Sequence, residues 1–260
     1  MSPRPDDSAA RAPAGAAAGL TIGALALLGV ASVLGPRGSA WVLLSLAAGA
    51  SVIAWVVRRA PPRPLRAIPV LAGALLVAMA TGLLWQPAMA LALGLHAATA
   101  WASRGVIPPP ELGPRGRLPA WATLAVGGVT PLGLLGWLAV ARPDLSGVVQ
   151  AYVPSLPLAT LILGGAVVAV VNATLEEIVW RGVFQRGLEV AIGVQAASFG
   201  VAHAHGVPSG WLGVVLAGAW AVLLGLLRRA SGGLLARIVA HFVADATIAV
   251  IVLGSGSALG

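Results

Sequence analysis

The sequence predicts an all-α fold, a polytopic transmembrane helical bundle of eight or nine spans. Three observations carry that reading. Of 260 residues, 58% are hydrophobic and only 9% are charged, and the mean hydropathy is +0.94, far too apolar for a water-facing surface. The apolar residues fall in long runs of membrane-spanning length. The basic residues, all of them arginine, gather in the short polar stretches between alternate runs.

Residues 1–13 are polar and proline-containing and are expected to form a disordered cytoplasmic tail. The first apolar run, 14–34, is longer than a signal-peptide core and has no convincing cleavage site, so it reads as a retained span. Further spans are expected at 39–57, 67–85, 87–102, 119–141, 157–179, 188–206, 209–227 and 233–253. The third and fourth are joined only by Gln86 and Pro87. If that hairpin exists the count is nine, and otherwise eight.

Arginine placement tests the count. With a cytoplasmic N-terminus, inner loops collect Arg4, Arg11, Arg58, Arg59, Arg63, Arg66, Arg104, Arg115, Arg117, Arg181, Arg186, Arg228 and Arg229. Outer loops keep Arg37 and Arg142. This asymmetry favours nine spans with the N-terminus in. It also explains the net charge of +8 as a matter of topology, so a nucleic-acid partner is not expected. The chain has no cysteine, which removes disulfides, thiolate nucleophiles and thiolate metal sites.

The stretch 103–118 holds Pro108, Pro109, Pro110, Gly113 and Pro114 and cannot continue a helix. It reads as a linker between N-terminal spans at 14–102 and a C-terminal bundle at 119–260. Gly164, Gly165, Gly213 and Gly218 suit close helix packing in lipid.

Ionisable groups within apolar spans are costly and mark function. The C-terminal bundle has Glu176, Glu177 and Arg181, then His203 and His205, then His241 and Asp245; the N-terminal half offers His96, which reads as a structural histidine. Residues four apart share a helix face, so Glu177 and Arg181 are expected to pair. Glu176 is turned about 100° from Glu177 and cannot share that arginine equally. It is left as a free carboxylate in a poorly solvated place, the surroundings that suit a general base. Phe199 shares a face with His203, so its ring can hold the imidazole in a dry environment, whereas His205 points elsewhere. His241 and Asp245 share a face, and the acid can orient the imidazole. Each cluster also has a structural reading: charges snorkelling at a span end, or a His–Asp hydrogen bond.

In order, these motifs run Glu176-Glu177-Ile178-Val179-Trp180-Arg181, Phe199…His203 and His241…Asp245. The pattern resembles that of the CPBP or Abi family, the CAAX prenyl proteases of Ras-converting type, over residues 155–255. Trp180 stands where the family usually has Phe, and Asp245 where it has Asn or Asp. The resemblance implies an intramembrane endopeptidase in which Glu176 activates water with His203, while His241 and Asp245 stabilise the oxyanion. Glu177, Arg181 and Phe199 would support them. It implies no cofactor, and a peptide or protein substrate that can itself be membrane-anchored.

Alternatives remain at this point. Glu176, His203 and His241 could ligate zinc, although no His-Glu-x-x-His spacing is present. Buried acids and histidines can relay protons in a transporter, although no inverted repeat is visible. Abi-type relatives associated with bacteriocin immunity also admit an inactive scaffold. Arg181 and Arg186 after the first motif suggest a site opening to the cytoplasm. His241, about eight residues into its span, would lie roughly 12 Å deep. By the same counting, His203 falls near the opposite end of its helix unless that helix is short and tilted or does not cross fully. Oligomeric state is not readable.

Overall fold

A computed structural model of the chain describes residues 63–80, 84–102, 120–153, 155–185 and 192–257. The expected tail at 1–13, the spans at 14–34 and 39–57, the linker at 103–118 and Arg186 lie outside the described residues. The described residues are helical and contain no strand. Their eight α-helices are α1 Arg63–Ala80, α2 Trp85–Ala102, α3 Ala120–Ala141, α4 Ser146–Tyr152, α5 Leu158–Glu176, α6 Ile192–Ala202, α7 Gly210–Ser231 and α8 Leu235–Ser257. A π-helical segment, Glu177–Phe184, continues α5 without a break.

Among the described residues, four helical segments are long and apolar enough to cross a bilayer: Ala120–Ala141, Leu158–Phe184, Gly210–Ser231 and Leu235–Ser255. At 1.5 Å per residue each exceeds about 30 Å, the thickness of the hydrocarbon core. Their surfaces match that solvent. On α3, Trp121, Leu124, Leu132 and Val140 are exposed, and on α5 so are Ile162, Leu163, Val167 and Val168. Water would penalise such continuous apolar faces, whereas lipid does not.

Two boundaries depart from the sequence reading. Gln86 and Pro87 do not form a loop: they sit in the first turn of α2, which Trp85 opens. Proline is tolerated there because a first-turn N–H has no intrahelical partner. The expected span at 188–206 is represented among the described residues by α6, only 11 residues long. That is about 16 Å of helix, roughly half a bilayer core. The helix stops at Ala202, and residues 203–209 turn the chain into α7. His203, the first residue beyond the helix, therefore meets Glu176 within the bundle instead of lying at its far face.

The core gathers Ile68, Leu71 and Leu75 of α1, Met89 of α2, and Val179, Trp180 and Phe184 of the π-helical segment. Phe199 of α6, Leu224 of α7, and Ala240 and Ala244 of α8 complete it. α8 packs on α3 and α5, and α1 pairs with α2. α6 lies along α7, and glycine makes that contact possible. A Cβ added at Gly200 would collide with the Val214 carbonyl and stand 3.1 Å from the Gly218 backbone. A Cβ at Gly213 would run into the Pro208 carbonyl. By contrast, Gly164 is exposed, with nothing among the described residues near its missing Cβ.

The α7–α8 connection is tight. Gly232 adopts the left-handed conformation at φ 69°, and its N–H donates to the Arg228 carbonyl at 2.9 Å. At the other end of the bundle, the Ser146 N–H donates to Asp144 Oδ1 at 2.9 Å as α4 begins. That bond holds the Asp144 carboxyl below its usual range.

Overpacking a backbone-to-backbone contact typically costs about 1–3 kcal/mol. Gly200→Ala should therefore lower the thermal midpoint of the detergent-solubilised protein, while Gly164→Ala leaves it unchanged; a differential scanning fluorimetry comparison checks both.

Candidate active site

The site forms where α5 ends, α6 ends and α8 begins its second turn, with the start of α2 closing one side. α5 brings two adjacent glutamates to this junction. Glu176 closes its regular α-helical part, and Glu177 opens the π-helical segment. A π turn carries more residues per turn than an α turn and recurs at functional sites. Here it sends Glu177, Trp180, Arg181, Val183 and Phe184 all into the interior. Both carboxylates are buried, at 1% and 0% exposure.

The two acids meet opposite nitrogens of one ring. His241 Nδ1 lies 2.8 Å from Glu177 Oε1, while its Nε2 faces Glu176 Oε2 at 3.4 Å. A carboxylate accepts, so His241 Nδ1 carries hydrogen, and Nε2 is the nitrogen presented to Glu176. Asp245, one turn further along α8, stands 3.7 Å from the same Nε2.

Glu177 is held by cations. Arg181 Nη1 donates to its Oε1 at 2.9 Å, and Arg237 Nε lies 3.7 Å from its Oε2. Both arginine side chains are fully buried. Arg237 is tied down by a 2.9 Å bond from Nη1 to Ser231 Oγ. Sequence reasoning missed Arg237, although its spacing was a signal: Arg237, His241 and Asp245 recur every four residues on one face of α8.

His203 enters from the end of α6. Its Nδ1 is 2.8 Å from the Phe199 carbonyl. A carbonyl can only accept, so Nδ1 is the protonated nitrogen and Nε2 of the neutral ring is an acceptor. That Nε2 faces Glu176 Oε2 at 3.6 Å. Phe199 stacks on the imidazole at 4.2 Å between centroids and stands edge-on to His241 at 5.8 Å. The Arg181 guanidinium caps its ring, with Cζ 4.5 Å from the centroid. Trp180 presents an edge to Phe199 at 5.4 Å. His205 is exposed.

Glu176 is oriented from outside the C-terminal bundle. The Trp85 indole donates to its Oε1 at 2.7 Å. Its other oxygen, Oε2, is buried with no hydrogen bond among the described residues. Asp245 is held by a second relay: Asn172 Nδ2 donates to its Oδ2 at 3.0 Å. Gln86 Nε2 in turn donates to Asn172 Oδ1 at 3.1 Å. Trp85, Gln86 and Asn172 went unnoticed in the sequence; only Asn172, one turn before Glu176, carried a spacing signal.

The geometry has a definite chemical capacity. Glu176 Oε2 and His203 Nε2 are both acceptors, directed at each other too far apart to bond directly. A water molecule bears two hydrogens and can satisfy both at ordinary hydrogen-bond lengths. The His203 side chain is 27% exposed, against 1% for Glu176. Among the described residues, no group of three His, Asp or Glu side chains has the arrangement of a metal-holding cluster.

Breaking a buried ion pair by removing one partner typically costs about 3–5 kcal/mol. Arg181→Met should therefore destabilise the protein strongly, as read by thermal midpoints in detergent.

Residues 158–247 match the family model described as Type II CAAX prenyl endopeptidase Rce1-like. No curated protein and no solved structure matches the chain. The matched stretch takes in α5, the π-helical segment, α6, α7 and the first half of α8, which together carry Glu176, Glu177, Arg181, Phe199, His203, His241 and Asp245. Over that stretch, about a third of its length, this multi-pass membrane chain is similar to the Rce1-like type II CAAX prenyl endopeptidases.

Proposed function

We propose that the protein is an intramembrane endopeptidase that hydrolyses peptide bonds with a water activated by Glu176 and His203. The observation that carries this reading is the buried Glu176 carboxylate, with Oε1 taken by Trp85 and Oε2 left facing the Nε2 atoms of His203 and His241. Glu176 takes a proton from water as the oxygen bonds to the substrate carbonyl carbon. The carbonyl oxygen becomes an oxyanion. His241, when it bears a proton on Nε2, donates to that oxyanion, with Asp245 beside it. Collapse of the intermediate breaks the C–N bond, and the proton held by Glu176 passes to the leaving amine. Glu177, Arg181 and Arg237 act through His241 by fixing its Nδ1–H side.

The distribution of arginines supports a cytoplasmic N-terminus and a site open to the cytoplasm. Arg228 and Arg229 close α7, whereas Arg181 is buried within its span and says nothing of orientation. The substrate is a peptide or protein, and the bilayer is the solvent for the lipid-facing helices.

The test is cleavage of a diverse peptide library by purified protein in detergent. Glu176→Gln should lower kcat at least a thousandfold, roughly the loss expected when the group that activates the nucleophile is removed. Activity that persists with strong chelators supports the metal-independent form, and loss restored by zinc overturns it. Asp245→Asn should retain most activity, because an amide keeps an acceptor for Asn172 and offers a donor on the His241 side; Asp245→Leu should not. A cellular phenotype that survives Glu176→Gln would favour a scaffold over an enzyme.

A further inference from the structure

Two consecutive residues at the start of α2, outside the family-matched stretch, each reach one of the acids at the site. Trp85 Nε1 donates to Glu176 Oε1 at 2.7 Å. Gln86 Nε2 donates to Asn172 Oδ1 at 3.1 Å, and Asn172 Nδ2 donates to Asp245 Oδ2 at 3.0 Å. In both cases the oxygen that faces the imidazoles is the one left over: Glu176 Oε2 at 3.4 Å from His241 and 3.6 Å from His203, and Asp245 Oδ1 at 3.7 Å from His241.

A carboxylate with both oxygens free turns about its terminal torsion, which is broad and roughly two-fold. A fixed donor on one oxygen removes that freedom and decides which lone pairs point at the reacting centre. Trp85 suits the task because an indole N–H donates only and cannot invert its role. Its ring is braced by Trp180 at 5.9 Å between centroids. Gln86 acts at one remove. By donating to Asn172 Oδ1 it requires the Asn172 amide to present its NH2 to Asp245, so Asp245 Oδ2 is held as an acceptor. Any proton Asp245 carries then sits on Oδ1, on the His241 side.

We infer that Trp85 and Gln86 are positioning residues of the catalytic centre. The first turn of α2 is a bracket that sets the orientation of both Glu176 and Asp245. This rests on the hydrolase reading above, and it extends the working unit beyond the family-matched residues to a helix that precedes them.

The experiment pairs kinetics with a spectroscopic readout that needs no turnover. With the full chain in detergent and a peptide cleaved by the wild type, Trp85→Phe keeps a ring beside Trp180 but loses the donor. The expected result is a kcat lower by about 10- to 100-fold with KM within about twofold, the pattern of lost orientation in place of lost substrate binding. Gln86→Met is expected to lower kcat by roughly 3- to 10-fold, also without raising KM. A higher KM at unchanged kcat, or no change in either variant, overturns the inference. Independently, the Trp85 indole N–H resonance, identified among nine tryptophans by its loss in Trp85→Phe or Trp85→Tyr, should move upfield in Glu176→Ala. An immobile resonance overturns the bracket even if a variant proves too unstable to assay. A wild type that cleaves nothing removes the hydrolase reading, whereas the resonance still decides whether the bracket exists.

Discussion

The site depends on one imidazole clamped between neighbouring carboxylates. Adjacent residues on a helix diverge by about 100°, and the two long carboxylate side chains converge from either side on one ring, Glu177 at His241 Nδ1 and Glu176 facing Nε2. The remaining polar groups follow from that clamp. Glu177 is a buried anion that would be costly alone, so Arg181 and Arg237 close on it. Arg181 is a buried cation that needs more than one partner, and the Phe199 face supplies it. Phe199, once fixed, stacks on His203 and sets its reach towards Glu176. Cations, rings and acids thus form one continuous network, in which the charge on Glu177 is met by two arginines while Glu176 Oε2 is left without a hydrogen bond among the described residues.

What could be read from the sequence divides along a physical line. Pairs within one helix are encoded by spacing, and Glu177 with Arg181, Phe199 with His203, and His241 with Asp245 are found at the contacts their four-residue intervals imply. Helical class and lipid-facing surface follow from apolar run length, which the bilayer itself dictates. Pairs between helices have no such rule. Nothing in a linear chain says that Trp85 meets Glu176, or that Asn172 meets Asp245. Arg237 was readable by spacing yet passes for a charge at a span end, since it is the third residue of α8. The length of α6 was hidden for another reason. The nearest helix-ending residues, Gly206 and Pro208, stand several positions beyond Ala202, and hydropathy does not register where a helix stops.

The family match and the buried polar cluster share the same motif residues but have different boundaries. The match begins at the first residue of α5, because motif spacing within α5, α6 and α8 is what a family pattern can record. The structure adds donors from α2 and packing from α1 against the π-helical segment. Such supports act on orientation, and several residue types can supply a hydrogen to a carboxylate. A conserved pattern can therefore be complete in its reacting groups and silent about the groups that aim them.

The glycine seam between α6 and α7 has a mechanical consequence. Where Gly200 rests against Val214 and Gly218, no side chain lies between the two backbones to act as a bearing. The two helices are therefore joined backbone to backbone at this point, and His203, which follows directly on α6, takes its place from that seam. Bulk added at Gly200 would part the backbones and move the imidazole with them, so a position with no side chain of its own sets where a ring nitrogen comes to rest.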